Sequence, residues 1–410
     1  MKVLYISYDG ATEPIPQSQI LTYLRQINKN GIEFYWLSFE KPASPLRFAK
    51  RKKSFKAELL RNGINWFGLP YHKRPYLFAK IFDISNGIFH ASYLISRHKI
   101  SILHGRGEIP SFICMILKYI FKLHFIYDRR GYMAEDYVEG GMWKSRKSFL
   151  YRLLKFIDKK LLLSADAIVV LTERIRDILV KENIEISNRI HVIPCCVDLD
   201  KFKYNVTKDK GLLNELKLDG KFIFIYLGSL GTWYLIKEMI DFFIVAKTQI
   251  PDSHFLILTM SDHSIARDIL HLKGQKETDF TILNSPPSLV QDYLSLADAA
   301  LIFIKPVFSK LSSSPTKFAE CLSCGLPVII NSNIGDCDKL IKSNRIGVIV
   351  DEFSNNNYQK ALEELKSLMN RSEDFRQRCR KAAEDHYSLN LGVSRYSQIY
   401  KRLYCQKGAD

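Results

Sequence analysis

Residues 312–330, SSSPTKFAECLSCGLPVII, hold the densest set of groups suited to gripping phosphate. A serine run and Pro315 lead into a helical pattern, with Lys317 in its first turn, Glu320 one turn on, and Gly325 at its end. Proline is favoured at the first helical position, and the unpaired N–H groups and dipole at that end attract anions. Ser313, Ser314 and Thr316 add hydroxyls, and Lys317 adds a full charge. Glu320 lies four residues after Thr316 on one face, where a carboxylate can accept two hydrogen bonds from a ribose diol. Together these groups suit a nucleoside diphosphate. The plainer reading is a capped helix whose lysine and glutamate are solvated.

A second phosphate candidate is 226–234, YLGSLGTWY, in which a strand runs into a turn bounded by Gly228 and Gly231, with Ser229 between them. Glycines there let backbone amides approach a pyrophosphate. Asp128, Arg129 and Arg130 follow a buried apolar run, and an arginine fork suits phosphate or carboxylate. The acid- and glycine-rich stretch after them, with Glu135 and Asp136, shows no period and is expected to be a functional loop contacting an acceptor; alternatively Asp128 and Arg130 form an ion pair that anchors it. His104 and Arg106 also end a strand, and a lone histidine there is a reactive group or a core residue. Gln17, Ser18 and Gln19 fall in the first strand-to-helix turn, touching phosphate or acceptor, or with Ser18 capping the first helix. Asp198 and Asp200 resemble a metal-binding pair but sit in a linker. Cys321 and Cys324 have no second pair at zinc spacing and are expected to pack inward.

Parallel α/β units are what position such groups, because short β-branched or aromatic runs alternate with longer amphipathic segments. Strands are expected at 2–8, 33–39, 64–68, 101–104, 124–127, 167–171 and 190–193. The alternation restarts after Pro194, with strands at 222–227, 254–259, 280–283, 300–304, 327–330 and 347–350. The fold class is therefore α/β with two domains, 1–200 and 201–388, and residues 195–221 form a linker without clear period. Open parallel sheets bind ligands beyond the carboxyl ends of their strands, so a crevice between two such sheets is expected to hold both ligands.

These segments resemble glycosyltransferase family 4, and in particular its members that build bacterial surface polysaccharides. The 312–330 segment is similar to the family's donor-binding signature. EPIPQSQ (13–19) is similar to an EPxxxSQ loop, LHGRGEIP (103–110) to an HxR segment, and DRRGYMAEDYVEGGMW (128–143) to DxRGxxxxE…GGxW. HVIPCCVDLDKF (191–202) resembles the linker motif IPxxVDxxxF, and YLGSLGTWY the first turn of the second domain. The resemblance implies the GT-B fold, two Rossmann-like domains facing across a cleft with a C-terminal helix, 389–405, returning to the first. It implies a retaining transfer from a nucleotide-diphosphate sugar, UDP- or GDP-linked, to a glycan or polyprenyl-diphosphate-linked acceptor, with no obligatory metal or other cofactor. Lys317 would then face the phosphates and Glu320 the ribose. His104 or Arg106 would stand near the transferred sugar, with Asp128 and Arg130 beside them. Many members carry an arginine and a lysine where this chain has Ser229 and Tyr234, and a glutamate where it has Ser312, so phosphate neutralisation shifts onto Lys317 and helix N-termini. Nucleotide-sugar 2-epimerases share the architecture and are the alternative, although the EPxxxSQ and RGxxxxE segments do not belong to them.

A formal net charge of +17 is concentrated early: residues 1–200 hold 32 Lys and Arg against 19 Asp and Glu. Such an excess attracts anionic surfaces, or is simply a lysine-rich composition spread over solvated helix faces. The cluster Arg47, Lys50, Arg51, Lys52, Lys53 and Lys56, interleaved with Leu46, Phe48, Phe55, Leu59 and Leu60, suits an anionic membrane interface. Nucleic acid is not expected as a partner, because no reader motif accompanies the charge. With no secretion signal, no spanning segment and eight cysteines expected to remain thiols, a cytoplasmic chain peripheral to the inner face of the plasma membrane is expected.

Overall fold

A computed structural model of the chain describes residues 1–41, 53, 55–204, 207–284, 286, 288–370 and 374–406. Most of the 46–60 basic cluster lies outside the described residues. The chain divides into two compact units, Met1–Pro194 with Asn390–Asp410, and Cys195–Leu389.

In the first unit seven strands form one sheet in the order β3-β2-β1-β4-β5-β6-β7. They are β1 (Lys2–Ser7), β2 (Glu33–Glu40), β3 (Ile64–Pro70), β4 (Ile102–Arg106), β5 (His124–Asp128), β6 (Ala167–Val170) and β7 (Ile190–Val192), all paired in parallel. The helices that bear on function are α1 (Thr22–Asn28), α2 (Tyr76–His98), α3 (Glu108–Phe121), α4 (Met133–Glu139) and α5 (Phe149–Ser164). A parallel sheet is covered on both faces, which is why its strands read as nearly continuous apolar runs and why Trp36, Trp66 and Phe125 are fully buried.

The second unit has a six-stranded parallel sheet in the order β10-β9-β8-β11-β12-β13. Its strands are β8 (Phe222–Leu227), β9 (Ser253–Leu258), β10 (Phe280–Leu283), β11 (Ala299–Ile302), β12 (Val328–Asn331) and β13 (Gly347–Val350). Helices α6 (Ile236–Gln249), α7 (Thr316–Ser323) and α8 (Phe375–Tyr387) cover it, with one apolar cluster on each face. In both sheets the strand order reverses once, between β1 and β4 and between β8 and β11. The loops leaving such neighbours diverge and open a crevice at the carboxyl ends.

The last helix, α9 (Leu389–Gln406), packs on the first sheet. Arg395 donates to the Val192 carbonyl at 2.8 Å, Asn30 to the Ser397 hydroxyl at 3.2 Å, and Tyr396 meets Tyr23 edge to face.

The thirteen expected strands are all present. Four local expectations need correction. Residues 133–139, read as irregular, form α4, because seven residues between glycines are too few for a period to emerge. The 195–221 linker contains a short helix, Lys210–Glu215, capped by Asp209. Pro315 precedes the first helical residue of α7 as its cap position, one step before the expected place. Ser18 caps nothing: the chain turns helical at Pro14, widens into a π turn at Gln17–Leu21, and the Ser18 hydroxyl donates back to the Pro14 and Ile15 carbonyls.

Candidate functional site

In the second unit the β8/β11 reversal brings the two phosphate candidates together. The turn after β8 is held open by Gly228 (φ 137°) and Gly231 (φ 91°). Its far end is tied to β11, since Leu235 N–H donates to the Phe303 carbonyl and Lys305 N–H to the Trp233 carbonyl. Helix α7 starts on the other side of β11 and sends Lys317 back over this turn. The ammonium lies 3.4 Å from the centre of the Tyr234 ring and 4.8 Å from that of Tyr226, and donates to the Tyr226 hydroxyl at 3.5 Å. Tyr226 in turn donates to the Ser229 carbonyl. A Cβ at position 228 would run into the Lys317 ammonium and the Tyr226 hydroxyl, so glycine is needed for the lysine to reach the turn as well as for the backbone angle.

Lys317 is 8% exposed, and burial pushes its ammonium down to about 7, against the opposing pull of Glu320. Burial likewise pushes the Glu320 carboxyl up to about 7, opposed by Lys317 and Lys201. Each group is thus poised between its charged and neutral forms, and an anion beside Lys317 would favour the charged lysine. Pro315 at the cap position of α7 makes no side-chain capping bond, and the Phe318 N–H turns back to the Pro315 carbonyl at 3.0 Å, so the N–H groups of Thr316 and Lys317 are the ones placed to receive an anion. Ser314 accepts from the Cys195 N–H at 3.1 Å, Ser313 is half-buried, and Ser312 donates to the Ser309 carbonyl. Cys321 and Cys324 are buried, and Asp198 accepts from the N–H groups of Asp200 and Lys201, a local turn. Among the described residues no three His, Cys, Asp or Glu side chains group to hold a metal.

In the first unit the carboxyl ends of β4 and β5 gather His104, Arg106, Asp128 and Arg130. The Asp128 carboxylate is fully buried and receives His104 Nε2 and Arg106 Nη1 at 3.4 Å, Arg130 Nη1 at 3.3 Å and the Tyr396 hydroxyl at 3.3 Å. Burial alone would raise its pKa, but Arg130, the His104 hydrogen bond and Arg106 outweigh that and hold it below the ordinary aspartate value. His104 Nδ1 is 2.6 Å from the Tyr400 hydroxyl, and burial lowers the pKa of the ring despite Asp128. Both ring nitrogens of His104 are therefore engaged inside the unit, whereas Arg130 reaches partly into solvent.

The remaining candidates do not join this cluster. Arg129 turns to the other face of β5, where its fork grips the Asp158 carboxylate at 2.9 and 3.2 Å and stacks on Tyr132. Glu135 is buried and accepts from Lys155 at 2.8 Å and Tyr151 at 3.1 Å, while Asp136 sits half-buried in the first turn of α4. Gln17 donates to the Ala11 carbonyl and closes the loop after β1, with Ser18 exposed beside it and Gln19 buried.

Two family patterns match the chain: Glycosyltransferase Family 4 over residues 17–201 and Glycosyl transferases group 1 over residues 212–386. The chain is a glycosyltransferase of the GT-B fold. Sucrose-phosphate synthase from Thermosynechococcus elongatus superposes with a TM-score of 0.70 at 14% identity, covering 99% of this chain and 100% of that one. HepE from Anabaena, in complex with UDP and glucose, gives 0.70 at 11% identity over 98% and 99%. A putative UDP-N-acetylglucosamine 2-epimerase from Listeria monocytogenes gives 0.63 at 12% over 99% and 97%. A search of curated proteins finds no significant sequence match. At these identities the superpositions bear on the fold alone.

Around the transferase's two clusters stand tyrosines whose part in them no local pattern announces. Tyr226, whose ring in a strand looks like ordinary core, walls in Lys317 together with Tyr234, which the sequence marked only as standing where many members carry a lysine. Tyr396 and Tyr400 complete the Asp128–His104 network, yet Tyr400 lies 296 residues from His104 and no local pattern links them.

Proposed function

We propose that the transferase moves a sugar, with retention of anomeric configuration, from a UDP- or GDP-linked donor held by the second unit to an acceptor held by the first. The supporting observation is the placement of Lys317 over the Gly228–Gly231 turn beside the uncapped start of α7. Lys317, that turn and α7's N–H groups, with Ser313, Ser314 and Thr316 nearby, hold the diphosphate, and Glu320 the ribose. A buried lysine whose charge is costly in the free protein gains most from an anion, which favours this side of the molecule for the diphosphate.

In the reaction the acceptor hydroxyl oxygen forms a bond to the anomeric carbon on the face the diphosphate leaves, and the bond from that carbon to the phosphate oxygen breaks. The hydroxyl proton passes to the departing phosphate oxygen. Lys317 and the α7 N–H groups stabilise the charge that develops there. On the acceptor side Arg130 and Arg106, fixed by Asp128, orient the acceptor, and His104 acts by holding Asp128 and the last helix. Gln17, Ser18 and the α4 region with Glu135 and Asp136 shape that surface.

The acceptor is a glycan or polyprenyl-diphosphate-linked sugar of cell-envelope polysaccharide synthesis, with the chain peripheral to the cytoplasmic face of the membrane. The resemblance of 13–19 and 128–143 to that subgroup supports this reading, as does the positive first half. No helix among the described residues is long and apolar enough to cross a membrane.

A thermal-shift screen against UDP, GDP, ADP and their sugars tests the donor assignment, because a ligand of the folded state raises Tm. One base should stand out, and Lys317→Gln with Glu320→Gln should abolish its shift; an unchanged shift refutes the assignment. The fold shared with the Listeria protein keeps epimerisation as a second reading. Incubation with donor alone separates them, since an epimerase equilibrates the sugar without acceptor.

A further inference from the structure

Helix α2 carries an unusual outer face. Leu77, Phe78, Ile81, Phe82, Phe89 and Tyr93 are all more than half exposed, Phe78 at 73% and Phe89 at 71%. At 100° per residue they fall on one side, and the positions among them are Ser85, Ser92 and Ser96. From 77 to 96 that face holds no charge. The helix's own ionisable groups in this span point away: Asp83 is fully buried, receiving the Tyr8 hydroxyl and His72 Nδ1 at 2.6 Å each. Lys80 lies over the Tyr8 ring at 4.0 Å.

Charge returns at both ends with one sign. Lys73 and Arg74 are exposed just before α2, and Arg97 and Lys99 are exposed at its end. Helix α3 packs beside it and exposes Tyr119 and Ile120 near its own end, next to Lys122. A helix of 23 residues is about 34 Å long, so the apolar face is a strip with cations at each end.

Deepening the peripheral attachment proposed above, we infer that α2 lies along the surface of an anionic bilayer, its apolar face among the acyl chains and its terminal cations at lipid phosphates. Charge complementarity selects this occupant over a second copy of the chain. Whether two α2 helices pair in parallel or antiparallel, cationic ends meet cationic ends, and each molecule carries a formal +17. An anionic lipid layer neutralises both ends at once and covers the strip between them.

Co-sedimentation of the full chain with vesicles tests this without donor or acceptor. The chain is expected to bind phosphatidylcholine–phosphatidylglycerol vesicles more tightly than phosphatidylcholine alone. Phe78→Ser with Phe82→Ser and Phe89→Ser should weaken binding on the order of 1000-fold or more, since three phenylalanine side chains are lost from the acyl region together. Lys73→Gln with Arg74→Gln should weaken it on anionic vesicles only. Circular dichroism and the nucleotide-induced Tm shift, which read the fold and the second unit, should be unchanged in both variants. Wild-type binding by the triple-serine variant overturns the inference. So does a wild-type dimer in light scattering that the serines dissolve, or binding that appears only when a polyprenyl phosphate is added to neutral vesicles. Absence of nucleotide binding in wild type would count against the donor assignment and leave the vesicle result standing.

Discussion

Affinity for the nucleotide sugar should peak near pH 7 and fall on both sides, because two groups with opposite charge requirements titrate there. Lys317 must be protonated to hold a diphosphate; in the free protein burial has pushed it down to about 7, and the ligand draws it back up. Binding above pH 7 therefore takes up a proton, and affinity falls as pH rises. Glu320 must be ionised to accept from a ribose diol; burial has pushed it up to about 7, and affinity falls as pH drops below that. The pair titrates as a unit around pH 7, and more than about one pH unit to either side each limb should approach a tenfold loss of affinity per pH unit. Isothermal titration calorimetry with a nucleotide sugar reads this cleanly, since its diphosphate has no proton to lose in that range. Two buffers of different ionisation enthalpy reveal the proton uptake directly. Glu320→Gln should remove the acid limb and Lys317→Gln the alkaline one. A flat profile, or a bell that survives both substitutions, would show that the pair does not touch the ligand.

Gly228→Ala strains the turn at φ 137° and displaces Lys317 from it, so nucleotide binding should weaken by roughly tenfold or more, at least the loss of one charge-assisted hydrogen bond of about 1.5 kcal/mol; calorimetry checks it, and wild-type affinity would show that the lysine needs no such approach. Tyr400→Phe strands a buried nitrogen of His104 and should cost about 1–3 kcal/mol in urea unfolding, with nucleotide binding unaltered. Asp128→Asn leaves buried Arg106 without its counter-charge and should cost about 3–5 kcal/mol at neutral pH. Because the folded Asp128 pKa is depressed, its stabilisation is present above the ordinary aspartate value of about 3.9 and is lost as pH falls further. The stability gap between wild type and Asp128→Asn should thus narrow below about pH 4; a gap constant with pH would mean the carboxylate's charge is not what holds the cluster.

The site proposed for the donor was legible because its pieces are contiguous. The start of α7, its lysine and glutamate lie within nine residues, and the Gly228–Gly231 turn announces itself through glycine spacing after an apolar run. Parallel strands were equally plain, since burial on both faces demands uninterrupted apolar residues. What stayed hidden were the side chains that set the electrostatics. Lys317 and Tyr226 are 91 residues apart, and only the reversal of strand order between β8 and β11 brings them into contact. Arg129 and Arg130 are neighbours with the same chemistry, yet β5 sends them to opposite faces, one to Asp158 and the other to Asp128. Local order in the chain determined which segments become strands and where the glycine turn and the lysine-bearing helix start fall. Tertiary packing decided which charges are buried, what neutralises them, and that the outer face of α2 is left bare, because those depend on desolvation by residues far away in sequence.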